Sequence, residues 1–139
     1  YVINNISGFG LEIDDKTLFC PMIDARRMEV FTAFYNIRGE QVREIKADII
    51  DNHSFAEYLD KGKVVFFGNG SQKCKHTILL PNALFLDHIS TSAKYMATLS
   101  ETAFQQGKFV DVAYYEPFYL KDFVATIPTK NIFGTSDDH

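Results

Sequence analysis

The chain has 139 residues, of which 46% are hydrophobic and 23% charged, with a formal net charge of -4. That length supports one folded unit with a core large enough to do without metals or disulfides. The charge argues against a broad basic surface for autonomous nucleic-acid binding, and the lack of a run of about eighteen apolar residues argues against a helical membrane span.

Tyr1 to Ile6 mix apolar and polar residues, and Ser7 to Gly10 read as a break. Residues 1–17 are therefore expected to be the end of a preceding element and a loop. The chain starts at Tyr1 without a methionine or the basic and apolar regions of a signal peptide, which predicts a further segment upstream; the two cysteines, Cys20 and Cys74, read as the reduced thiols of a cytoplasmic protein.

Leu18 to Tyr35, LFCPMIDARRMEVFTAFY, predicts a β-hairpin. Leu18 to Ile23, apolar and too short for a helix, and Val30 to Ile37, rich in β-branched and aromatic residues, flank Asp24, Arg26, Arg27 and Glu29. Phe19 and Ile23 fall on one face, with Leu18, Cys20 and Met22 on the other, so both faces are expected to be covered. The charges must then sit at the tip. There Asp24 and Arg26, with Glu29, either line the rim of a cleft and meet a ligand or partner, or pair with each other in water.

Arg38 to Glu40 predict a turn, and Val42 to Ile50 a third, charged edge strand. Ser54 and Glu57 have the spacing of a capping box opening a helix that Gly62 ends. Lys63 to Phe67 predict a buried strand leading into Gly68, Asn69, Gly70 and Ser71. Glycines there let the backbone approach a ligand; the simpler alternative is a turn in which Ser71 caps the next helix. That helix is expected from Gln72 to the residue before Pro81.

Ala83 to Asp87 predict a fifth strand, and a long helix is expected from Ser90 or Thr91 to Gln106, with Gly107 as its stop and most of its apolar face in the core. Asp111 to Lys121, DVAYYEPFYLK, is dense in aromatics. It reads as an extended stretch packed across the domain, or else as a docking patch. Residues 127–139 are expected to be a polar, frayed tail, which leaves 18–126 as the folded domain.

Three antiparallel strands followed by two alternations of helix and strand, then a helix, describe an α/β fold: a ribonuclease H-like mixed five-stranded sheet with helices packed on it. His53, His76, His88 and His139 lack the spacing of a metal-binding helical pair, and Cys20 and Cys74 have no metal-ligand spacing and read as reduced thiols. No catalytic or metal-binding set is visible.

Three blocks carry a resemblance: Ile23 to Arg26 with Glu29 and Val30, then FFGNG at Phe66 to Gly70, then Glu116, Pro117, Tyr119 and Leu120. With these the chain resembles the second half of the bacterial TsaB family, formerly YeaZ. The resemblance implies the second domain of an actin-like ATPase fold. It implies a non-catalytic scaffold subunit of the complex that makes N6-threonylcarbamoyladenosine in tRNA, supporting the TsaD transferase, with TsaE as accessory ATPase. Homologues of TsaD and TsaE are the implied partners, with tRNA met only indirectly and homodimerisation assigned to the N-terminal domain missing here. No cofactor is implied for this half, and ATP is implied only at an interdomain cleft of the full-length protein. An ATP-binding or weakly ATP-hydrolysing module is the alternative. The superfamily's older glycoprotease label finds no support, given the missing histidine pair. Lys121 stands where the family often has arginine, and a lysine cannot make a planar bidentate contact.

Overall fold

A computed structural model describes residues 1–120. A 3-10 stretch, Ile3–Phe9, is followed by β1 (Leu18–Asp24), β2 (Glu29–Tyr35) and β3 (Gln41–Ile49). Then come α1 (Ala56–Leu59), β4 (Val64–Phe67), α2 (Ser71–Cys74) and β5 (Ala83–Phe85). A 3-10 turn, Ala93–Met96, leads into α3 (Ala97–Gln105). The five strands form one sheet in the order β3-β2-β1-β4-β5. β1 pairs antiparallel with β2 and parallel with β4, and β5 is parallel to β4. This is the expected mixed sheet, with β3 at an edge. None of the described helices is long and apolar enough to cross a membrane.

Alternation along the strands sends apolar side chains to both faces. On one face Cys20, Met22, Val30, Phe34, Val64 and Phe66 pack under Leu59 of α1 and Cys74 of α2. On the other, Phe19 and Val65 are covered by Val2, Ile3, Ile6 and Phe9 from the N-terminal stretch. The central hairpin is thus buried on both sides, and its charged residues are confined to the end.

The helices depart from expectation. The Ser54 capping box does not form: the Ser54 hydroxyl donates to Asp51 Oδ1 at 3.0 Å and accepts from the Asp51 amide at 2.8 Å. With that hydroxyl engaged, α1 starts after Phe55, whose φ is +64°, and has four residues. α2 also has four residues, and Ser71 lies inside it rather than capping it, its hydroxyl donating to the Gly68 carbonyl at 2.8 Å.

The largest correction concerns α3. The chain does stop at Gly107, in the left-handed region at φ +64°, but the helical face expected to be core is not: Met96 is 62% exposed and Phe104 64%. The cover expected of this helix is supplied by the N-terminal stretch. Nor does the aromatic stretch pack across the domain, since Tyr114 is 85% exposed. Lys121, the domain end at 126 and the tail 127–139 lie outside the described residues.

Candidate functional site

The end of β1, the β1–β2 tip and the turn after β4 meet at one rim. Parallel pairing of β1 with β4, in which Pro21 lies opposite Phe67, brings Asp24 beside the Gly68-Asn69-Gly70 turn. The Asp24 amide donates to Asn69 Oδ1 at 3.1 Å, and the Gly70 amide donates to the Met22 carbonyl at 3.0 Å. A Cβ on Gly68, which has φ +103°, would collide with that same carbonyl, and one on Gly70 would press on Val30 and on the Asp24 amide. The close approach that these glycines permit is to the protein's own backbone.

The tip is held by a residue the motif reading missed. Lys73 Nζ pairs with the Asp24 carboxylate and donates to the carbonyls of Arg27 and Glu29, each at 2.7 Å. The Arg26 amide donates to Asp24 Oδ1 at 2.9 Å. Lys73, then this amide, hold the Asp24 carboxyl below its ordinary range. Further bonds run from the Ala25 amide to the Glu29 carbonyl and from the Glu29 amide to the Arg26 carbonyl. Arg26 and Arg27 sit at φ +71° and +46°, a conformation that costs an L-residue energy unless its surroundings impose it. The signal for Lys73 was its place as the one cation on the short helix after the glycine turn, readable once β1 and β4 are known to be parallel neighbours.

Of the expected site residues, Asp24, Arg26, Glu29, Gly68, Asn69 and Gly70 gather at this rim. Glu116, Pro117, Tyr119 and Leu120 do not: they follow α3, and among the described residues they make no hydrogen bond, ion pair or ring contact with it. Asp24 pairs with Lys73 and Arg26 supplies only a backbone amide, so the side-chain pairing of those two acid and base groups is replaced.

Two clefts adjoin the rim and share Gly68, Ile89 and Ser90. One, of about 270 Å³, is mostly apolar and is walled by Pro21, Ile23 and Phe67, with Tyr1 stacked on Tyr95 at 4.4 Å. The other carries Asn69, Gln72, Asp87 and His88. Gln72, followed by Lys75, keeps the Asp87 carboxyl below its ordinary range. As a phosphate cradle the glycine turn does not fit, because the Gly70 and Ser71 amides are taken by the carbonyls of Met22 and Gly68. Among the described residues no group of three His, Cys, Asp or Glu is placed to hold a metal ion.

No protein-family model matches the chain, and no curated protein matches it. Solved structures similar in fold include two of YeaZ type. One, from Pseudomonas aeruginosa, is described as an uncharacterized protein with similarity to peptidase YEAZ; it has a TM-score of 0.60 and 19% identity over 86% of this chain. YeaZ from Pseudomonas aeruginosa gives a TM-score of 0.52, again at 19% identity over 86% of this chain. In each case the match takes up 54% of the solved chain. The fold described above is thus that of roughly half of a YeaZ-type chain.

Proposed function

We propose that this chain is the C-terminal, ribonuclease H-like half of a TsaB-type protein: a cytoplasmic, non-catalytic scaffold that supports a TsaD-type transferase in making N6-threonylcarbamoyladenosine in tRNA. One observation carries the reading. Most of the groups that suggested chemistry are spent on internal architecture, with Asp24 tied to Lys73 and the two glycines pressed on β1. A rim locked in this way offers a rigid surface, and it leaves Asp24 unavailable as a free acid or base. The three sequence blocks and the YeaZ-like fold agree with it.

Reconstitution tests this directly. Full-length protein is combined with homologues of TsaD and TsaE, and the modified nucleoside is measured by mass spectrometry of digested tRNA. Omitting the protein should abolish most of the product. Full activity from TsaD and TsaE without it would refute the reading.

The two adjoining clefts favour a second reading, nucleotide binding by the full-length protein. Calorimetric titration with ATP and ADP tests it, using a Ser90→Trp variant to fill both clefts, since Ser90 lines both and is exposed. Equal heats from the two proteins would exclude binding there.

A further inference from the structure

The β1–β2 tip displays two guanidinium groups that the rest of the described chain does not neutralise. The Asp24 carboxylate is committed to Lys73, Glu29 lines the same cleft as the two arginines, and neither Arg26 nor Arg27 has a side-chain partner among the described residues. The backbone bonds around Lys73 fix the tip, so little freedom remains to be lost on binding. Apolar groups flank the arginines: Ile49 is 78% exposed and shares a cleft with Met28 and both arginines, and Ile23 is 49% exposed. Arginine beside exposed aliphatic groups is the make-up of a protein-binding surface, whereas nucleic-acid surfaces are more uniformly basic.

The chemical complement of such a surface is a segment with carboxylates set among aromatic rings. The same chain exposes one. Asp111 and Glu116 lie among Tyr114, Tyr115, Phe118 and Tyr119, and all of these are exposed. Carboxylates can pair with the guanidiniums, tyrosine faces can accept them by cation–π contact, and Phe118 suits the cleft beside Ile49.

We infer that the 111–119 segment of one copy of this chain docks on the Arg26–Arg27 tip of a second copy. The contact is head-to-tail, since the surfaces on the two copies differ, and it is small enough to be weak and reversible.

Sedimentation velocity of the chain over a concentration series, at low and high salt, tests this. The wild-type protein should show a weight-average mass that rises with concentration and falls back with salt. Arg26→Glu with Arg27→Glu should lose the rise, and so should Asp111→Lys with Glu116→Lys, which alters a different exposed segment and guards against a folding defect in the first variant. An equimolar mixture of the two variants should recover association, because each altered surface then meets its charge-reversed partner. A wild-type chain that stays monomeric throughout, as it would if the segment closed on its own tip, overturns the inference. So does loss in only one variant pair, or a mixture that fails to recover.

Discussion

Lys73 of α2 reaches across to Asp24 at the end of β1, and the same ammonium caps the carbonyls of Arg27 and Glu29. One cation thereby joins a helix, a strand end and a strained turn. Its three N–H donors have three acceptors, which is the full capacity of the group.

Replacing Lys73→Met keeps the stem and removes the donors. The two carbonyl bonds are charge-assisted and partly shielded, the Lys73 side chain being 23% exposed, so a loss of about 1–3 kcal/mol is expected in urea unfolding. Hydrogen exchange should quicken at the Ala25 and Glu29 amides, which close the tip. Unchanged exchange there would show that the turn holds itself.

The same pair makes stability depend on pH. Because the folded-state pKa of Asp24 is depressed below its ordinary value of 3.8, the contribution is present above that value and is lost as pH falls through the folded-state pKa. Asp24→Asn should therefore be less stable than wild type at neutral pH, and the gap should begin to narrow as pH falls below about 4 and close only below the folded-state pKa. Denaturant titrations at several pH values measure the gap; a gap of constant size would contradict the assignment.

Glycines of similar conformation should differ in what they tolerate. Gly68 has φ +103° with the Met22 carbonyl against it, whereas Gly39 has φ +78° and nothing within 4 Å. Gly39→Ala should cost about 1–2 kcal/mol for the conformation alone. Gly68→Ala adds a backbone collision and should cost about 3–5 kcal/mol or prevent folding, read from denaturation midpoints.

These residues mark how far the sequence was legible. Strands were readable because Phe19, Val65 and Phe66 sit in short apolar runs of β-rich composition buried on both faces, which are local signals. The helices were less so. Ser54 had two acceptable partners, Glu57 ahead and Asp51 behind, and spacing alone cannot choose between them. Met96, Ala97, Ser100, Ala103 and Phe104 show helical spacing, yet which segment covers a sheet face is settled by tertiary competition that the N-terminal stretch won. Lys73 lay 49 residues from Asp24, so only the parallel pairing of β1 and β4 brings it into view.

The cysteines give a reactivity test. Cys20 and Cys74 are free and 0% exposed, and burial raises both thiol pKa values, that of Cys20 strongly. A thiol-disulfide reagent should leave both unmodified in the native protein and titrate two thiols in denaturant. Rapid reaction of either in the native state would mean that the face under α1 and α2 opens readily.

The last test concerns the charge beneath that face. Arg43 pairs with Asp48 at 2.5 Å, donates to the Thr32 hydroxyl at 2.8 Å, and lies over the rings of Phe34 and Phe55 at 5.4 and 5.7 Å. Its side chain is 13% exposed and that of Asp48 20%, so water screens the pair poorly. Asp48→Ala strands the guanidinium against two rings and should cost about 2–4 kcal/mol. Arg43→Met removes the charge but keeps a flexible stem on those rings, and the double substitution should cost clearly less than the two single losses added together. Strict additivity in the cycle would mean that Arg43 acts through ring packing alone, with the ion pair contributing nothing to the fold.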